Sequence, residues 1–443
     1  MLRVTPQDSV FPDTGYAGRR DPDYADGMCA ASVLDNWGRG GLDLDNPFPC
    51  FAEVRELGPV HKVRLSDGHD AWLVVRYEEA RQALNDPRLS KDMHAAMAAS
   101  DAVVAEGLPG PALARHMLSM DPPDHTRLRR LVSGAFTPRR VEALRPRVRQ
   151  LVHDLLDGIA AAGPDATVDL VTAFAFPLPY TVICELLGLP EADRAALGTA
   201  FTDLFLPSDS AEPPAAAKAG AEHIIGYLDG LVSAKRAAPG SDLVSALIQA
   251  QDGDARLTHQ ELCSTLFQLF VAGHDTTASL IGNGTAALLT HPDQLAALRA
   301  DLSLVPRAVE EFLRFDAPVP HSTFRWTAAP VEIGGVTIPA GAQVMISLAA
   351  ANRDPGRFGS AEELDVTRAE NRHMSFGHGI HFCLGAPLGR MEGEIAFTAL
   401  LTRFPQLRLA VAPESLRWSH GDGLVLRGLA ELPVVPGPDA GLT

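Results

Sequence analysis

The sequence predicts a mainly α protein with small β-sheets, and two observations carry that expectation. From Val141 to about Ile248 apolar residues recur at helical spacing, and a long apolar helical run follows from Thr258 to about Leu289. Alternating, strand-like patterns are short and confined to His61–Val75, Val331–Ser347 and Trp418–Leu426.

The chain has 443 residues, 46% of them hydrophobic, enough to bury one large core or two to three ordinary ones. The formal net charge of −17 argues against general nucleic-acid binding. Positive charge is carried almost wholly by arginine, the lysines being Lys62, Lys91, Lys218 and Lys235. The cysteines, Cys29, Cys50, Cys184, Cys263 and Cys383, are scattered and odd in number, which is not a disulfide framework. No basic segment followed by an apolar run opens the sequence, and no apolar stretch reaches membrane-spanning length. The expectation is a cytoplasmic protein that makes no membrane contact.

Residues 1 to about 40, rich in Asp, Gly, Arg and Pro, read as an irregular arm. Pro47–Leu57 reads as a short helix, and His61–Leu65 with Ala71–Val75 as a hairpin turned by Ser66-Asp67-Gly68. Tyr77–Leu84 reads as a helix, and the Ala- and Met-rich stretch Asp92–Leu108 as a surface helix. In MDPPDHTRLRRLV, Met120–Val132, Asp121-Pro122-Pro123 signals a helix start, and His125 and Arg129 project from one face. Alone they describe a solvated basic face. Arg139, Arg140, Arg145, Arg147 and Arg149 follow, with only Glu142 to oppose them. No aromatic residues interleave for base stacking, so an acidic protein partner fits this cluster better than nucleic acid. Gly188–Pro190 and Ser208–Pro214 break the helical pattern.

The long helical run carries AGHDTT at Ala272–Thr277. Polar groups within an apolar helix are costly unless used, and Gly273 weakens the helix by about 1 kcal/mol relative to Ala. Thr276 lies four residues after Ala272, so its hydroxyl can bond that carbonyl. Alone, the motif describes a packing notch, a back-bonded Thr and a surface Asp. Glu311 and Arg314, three apart, share a helix face, which alone is a surface pair worth little. Strands Val331–Ile338 and Gln343–Ser347 follow, joined across Gly334-Gly335 and Pro339–Gly341. Trp418–Leu426 reads as a hairpin turning at His420–Gly423.

Between them lies Phe376–Gly385, FGHGIHFCLG. Its glycines permit a tight backbone and close approach of something large and flat. Pro387 then stands where a first helical residue would, with Leu388, Met391, Ile395 and Ala399 at helical spacing. Cys383 thus precedes a helix N-terminus, whose free N–H groups favour a thiolate over a thiol. Three readings are open: a structural cysteine in a Gly-rich turn, a zinc site from His378, His381 and Cys383, or a haem held by a single sulfur. The zinc reading lacks a second ligand arm, since the chain has no CxxC or HxxxH.

The segment resembles the haem-ligand signature FGxGxHxCxG of the cytochrome P450 family, with every fixed position filled. The resemblance extends over nearly the whole chain after about residue 40, through four motifs in the family's order. It implies a single large cytochrome P450 catalytic domain over residues 41–437 behind an arm at 1–40. It implies a haem b (iron protoporphyrin IX) with an axial thiolate, and hence the metal ligand, from Cys383. Phe376, Gly377, Gly385, His381 and Ala272 would bind that haem, and His125, Arg129 and Arg325 would hold its propionates. Asp275 and Thr276 match the family's acid–alcohol pair, which delivers protons on the distal side. Glu311 and Arg314 match its ExxR pair, locked with Arg368, although Leu364 stands where Phe is commoner. Gly389 stands where the family usually carries Ala. The substrate pocket would involve Gln268, Val271, Ala272, Val319, His321, Ser322, Leu424 and Val425, with Asp92–Leu108 as its lid.

The activity implied is insertion of one oxygen atom from O2 into a C–H bond or a double bond. Electrons would come from a separate ferredoxin and ferredoxin reductase. MDPPDHTRLRRLV, LPYTVICELLGLP and NRDP look most like actinobacterial enzymes that tailor macrolides and related polyketides. Steroids, terpenoids and cyclic peptides are alternative substrates, and a haem sensor without turnover is the alternative of another class.

Overall fold

The computed structural model describes residues 34–35, 37, 42–65, 68–92, 113–204, 215–252, 255–419 and 425–441. Most of the N-terminal arm, the lid stretch after Asp92, the break at Ser208–Pro214, the turn at His420–Gly423 and Leu424 lie outside these residues.

The long helix runs from His259 to Thr290. It begins in a reciprocal cap: Glu261 N–H donates to Thr258 Oγ1 (3.2 Å) and Thr258 N–H to the Glu261 carboxylate (2.9 Å). At 1.5 Å per residue it spans about 48 Å. The consecutive runs Leu262–Phe267 and Leu280–Leu288 are buried all round the helix, as expected for one through the centre of a core. Helices Pro177–Leu187, Val305–Phe315 and Ala386–Arg403 pack against it. Glycine sets two of these approaches. A Cβ on Gly273 would stand 2.9 Å from the Ile183 side chain, and one on Gly284 2.6 Å from the Phe397 ring. The notch expected at Gly273 is therefore filled by Ile183.

A five-stranded sheet stands to one side. Val60–Arg64 pairs antiparallel with Asp70–Val74, close to the expected hairpin. At the expected turn, Gly334-Gly335, Val331–Ile333 folds back onto Val336–Ile338. Gln343–Ile346 leaves that hairpin and lies parallel to Asp70–Val74, with Ile346 opposite Val74. Val344 and Ile346 are fully buried, and a central strand covered on both faces accommodates them. Arg325–Thr327 pairs antiparallel with the other edge of that strand, and Leu89–Ser90 pairs with Arg325–Thr327. The hairpin near the C-terminus pairs Arg417–Ser419 with Gly428–Glu431.

Glu311 and Arg314 are not a surface pair, since both are completely buried. The Glu311 carboxylate accepts from Arg314 Nε (2.8 Å) and Nη2 (2.7 Å), Arg368 Nε (3.1 Å), Asn371 Nδ2 (2.9 Å) and the Asp365 N–H (2.9 Å). Arg314 also donates to the carbonyls of Asn352, Ala361 and Glu363. Removing one partner leaves the other charge buried without its match. Arg314→Met should therefore cost about 3–5 kcal/mol in denaturant unfolding. A loss below about 1 kcal/mol, the range of an exposed pair, would mean that Arg368 and Asn371 suffice for Glu311.

Glu310, on the same helix, accepts from Arg390 Nε (2.7 Å) and Nη2 (2.8 Å) and faces His373 Nε2 at 3.3 Å. Burial raises its pKa, but the bonds and charges of Arg390 and His373 outweigh burial and hold the carboxyl down to about 2. A depressed folded pKa stabilises above the unfolded value, near 4.5, and that stability disappears as pH falls through about 2. The stability gap between the wild type and Glu310→Gln should be constant above about pH 5 and close on acidification. Urea unfolding at stepped pH reads it, and a gap that widens in acid would contradict the assignment.

Candidate active site

The buried network reaches the cysteine loop through Asn352. Asn352 Oδ1 accepts the Met374 N–H (2.7 Å), its Nδ2 donates to Ser375 Oγ (2.8 Å), and Ser375 Oγ donates to the Leu313 carbonyl (2.6 Å). The chain then folds on itself: Gly377 N–H donates to Met374 O (2.7 Å) and Cys383 N–H to Phe376 O (2.8 Å). Gly377 and Gly379 hold φ of 72° and 73°, a region that favours glycine. A Cβ on Gly379 would also stand 2.6 Å from Asn85 Oδ1. The Arg390 guanidinium lies 4.5 Å over the Phe376 ring.

Gly385 caps the helix Ala386–Arg403, so Pro387 is its second residue rather than its first. A Cβ on Gly389 would stand 3.6 Å from Thr277 Oγ1, an ordinary contact, so the cysteine helix touches the long helix beside Thr276. The Cys383 side chain is exposed. Burial of its sulfur by the surrounding loop nevertheless pushes the thiol pKa up, against the N–H groups of Gly385 and Ala386 and the charges of Arg129 and Arg390. The helix-start donors expected to favour a thiolate are present, and both pull the pKa down. A metal ligand in this position gives up its proton to the metal.

Next to this loop lies a cluster of basic side chains, with His125 and Arg325 buried and Arg129 and His381 half-buried. His125 is 3% exposed, neither ring nitrogen has a hydrogen-bond partner among the described residues, and its ring centroid is 4.4 Å from that of His381. Arg129 Nη2 donates to the Phe382 carbonyl (2.6 Å). Arg325 is 4% exposed; its Nε has no partner among the described residues, and burial lowers its pKa to about 10. Burial, then the charges of Lys91, Arg325, His125 and Arg129, drive His381 down to about 2. Buried donors left open around one point are an anion site. The two carboxylates and flat ring of a haem fit this arrangement.

On the long helix, Phe267 and Phe270 are buried while Ala272 is exposed and Thr276 partly so, which marks a cavity wall in the middle of a core helix. Thr276 Oγ1 donates to the Ala272 carbonyl (2.8 Å). Asp275 is partly exposed, with Oδ1 3.3 Å from His274 Nε2, while His274 Nδ1 donates to the Phe270 carbonyl (2.7 Å). Gln268 Oε1 is buried without a partner among the described residues, as is Ser322 Oγ. Val271, Val319 and Val425 are half-buried. His321 departs from the pocket expectation. It packs edge-on to Trp37 (6.0 Å) and Phe51 (5.8 Å), in the cluster behind the five-stranded sheet.

No three His, Cys, Asp or Glu side chains converge as metal ligands among the described residues, so His378, His381 and Cys383 do not form a zinc site. The basic run is less one-sided than its sequence. Arg145 pairs with Glu142 (2.5 Å), and Arg147 pairs with Glu185 (2.8 Å), which lies outside the run. Two buried groups were not singled out by spacing. Lys91 is 5% exposed, and Glu392, on the cysteine helix, is 1% exposed with both carboxyl oxygens unpartnered among the described residues. Burial pushes Glu392 up to about 8 against the pull of the Thr277 hydroxyl, so it is mostly protonated at neutral pH. Its position beside Met391 on an apolar face is the one signal that sequence offered.

A family model described as Cytochrome P450 matches residues 219–413. The chain is 48% identical over 403 residues to the cytochrome P450 monooxygenase PikC of Streptomyces venezuelae, covering 91% of this chain and 94% of that protein. It is 46% identical over 395 residues to the 6-deoxyerythronolide B hydroxylase of Saccharopolyspora erythraea, covering 87% and 95%. The tirandamycin C-bound P450 monooxygenase TamI matches the structure with a TM-score of 0.78 at 46% identity, covering 88% of this chain and 98% of that one. Identity at this level over almost the full length of both relatives settles the family. The chain belongs to the cytochrome P450 family, as a mostly helical haem-thiolate monooxygenase with a cysteine sulfur as the axial ligand of its iron.

Proposed function

We propose that this monooxygenase hydroxylates or epoxidises a hydrophobic secondary metabolite of the macrolide or polyketide class in the cytoplasm. Residues 41–437 form the catalytic unit, and electrons come from a ferredoxin and its reductase. The observation that carries the site assignment is the Cys383 loop set against basic side chains, two of them buried with ring or guanidinium nitrogens left open among the described residues. Cys383 is the axial ligand, and His125, Arg129, Arg325 and His381 bind the two propionates by charge-assisted hydrogen bonds. When bound, the haem supplies O2 activation, with thiolate donation favouring cleavage of the O–O bond.

The chain's own residues do the rest. Phe376, Gly377 and Gly385 give the cysteine loop its close, flat approach, and the methyl of Ala272 leaves room on the opposite wall. Glu311, Arg314 and Arg368 keep the loop rigid. Thr276 donates its hydroxyl to the Ala272 carbonyl, so its oxygen presents lone pairs to the cavity and accepts a hydrogen bond from a water on the path that brings protons from solvent. Asp275, partly exposed one residue earlier, takes up the proton from solvent and passes it to that water. Gln268 offers an open amide oxygen to a substrate hydroxyl, with Val271, Val319, Ser322 and Val425 around it. The substrate class is supported by a relative named for hydroxylating 6-deoxyerythronolide B and by a neighbour that binds tirandamycin C. Arg139, Arg140 and Arg149 are the part of the basic run available to steer an acidic ferredoxin.

Reduced protein under carbon monoxide should show the strongly red-shifted Soret band of a thiolate-bound carbonyl complex, and Cys383→Ser should abolish it. A haem spectrum without that shift in the wild type would refute axial ligation by Cys383. Thr276→Ala should keep its haem while product formed per reductant falls by roughly tenfold or more, the balance appearing as peroxide. Product formation still coupled to reductant use in that variant would remove Thr276 from the proton path.

A further inference from the structure

Lys91 follows the edge strand Leu89–Ser90, and its backbone N–H donates to Asp121 Oδ1 (3.0 Å). Asp121 also accepts from Ser90 Oγ (2.5 Å), and its carbonyl accepts the His125 N–H (2.9 Å). The backbone of Lys91 is thereby fastened to the helix that carries His125 and Arg129. The ammonium itself is buried, at 5% exposure, and donates to the Thr323 hydroxyl, with the Thr323 carbonyl at 3.4 Å. No carboxylate stands within ion-pairing distance of it among the described residues. The nearby acid, Asp121, is occupied by Ser90 and by the Lys91 N–H, and the other charged neighbour is Arg325. A buried ammonium with only a neutral hydroxyl and a carbonyl for company is strongly disfavoured, and burial and Arg325 both push its pKa down.

An anion placed among Lys91, Arg325 and His381 removes that cost, and the open Nε of Arg325 calls for the same anion. We propose that Lys91 is a further haem-binding residue, its ammonium donating to the propionate that Arg325 also holds. The inference rests on the haem assignment above and adds a ligand to it. One cation on the strand edge and one on the neighbouring strand then share a carboxylate. Haem binding thereby fastens Leu89–Ser90 to Arg325–Thr327 from the inside, as the backbone pairing of Leu89 with Thr327 does from the sheet.

The test uses the holoprotein of the wild type, Lys91→Met, Lys91→Arg and Thr323→Val. Haem release is followed by transfer to excess apomyoglobin, and the propionate bending bands by resonance Raman. Lys91→Met should release haem roughly tenfold faster, the worth of one charged hydrogen bond, and should shift one propionate band. Lys91→Arg, which keeps the charge, should restore most of the retention, and Thr323→Val should stay near the wild type. Unchanged release and unchanged bands in Lys91→Met would overturn the assignment. So would faster release with unmoved bands, or Thr323→Val matching Lys91→Met, because each describes a purely structural lysine. A wild-type protein that binds no haem would instead overturn the family site assignment on which the proposal stands.

Discussion

The Glu311 carboxylate, completely buried and accepting five donors, is the interaction on which the cysteine side of the molecule depends. Isolated charge at that depth would be prohibitive, so the network has to be complete to exist at all. Its completion fixes more than one helix. Arg314 gathers the carbonyls of Asn352, Ala361 and Glu363, and Asn352 grips Met374 and Ser375, which begin the turn that ends at Cys383. Glu310 ties the same helix to Arg390 on the cysteine helix. The sulfur is therefore positioned by backbone on one side and by two ion-pair systems behind it.

The cationic cluster is built in the opposite way. His125, Arg325 and Lys91 are each buried as deeply as most core side chains, yet their donors are satisfied poorly or not at all within the described residues. A fold that gives Glu311 five hydrogen bonds and leaves these groups open has two kinds of buried polar site. One holds the structure, and the other is reserved for a ligand. Glu392 belongs to neither: burial keeps it mostly protonated, and it touches the long helix beside Thr277.

Much of this was legible in the sequence where the signal is local. The long helix, its Thr276 back-bond, the glycine turn before Cys383 and the Glu311–Arg314 spacing each depend on residues within a few positions of one another. What spacing cannot carry is burial and long-range pairing. By spacing alone Glu311 and Arg314 read as a surface pair; the family resemblance supplied Arg368, and nothing in the sequence announced Asn371. Nothing beside Gln343–Ile346 names its strand partner, Asp70–Val74, which tertiary packing supplies. His321 read as a pocket residue until Trp37 and Phe51 claimed its ring. Lys91 had no periodic or motif signal at all, and its burial comes from a sheet edge and a helix start that meet only in three dimensions.

The scarcity of lysine has a practical consequence. Lys91 is buried, Lys62 is 59% exposed, Lys218 lies on the surface of the helix Ala215–Ala237, and Lys235 pairs with Asp242 at 2.6 Å. Residues 236–443, which carry the cysteine loop and its helix, contain no lysine. Coupling through side-chain amines to a bead or an electrode therefore grips the molecule only through the first half of its chain. The half that holds Cys383 offers no such handle, so immobilisation proceeds with a built-in orientation.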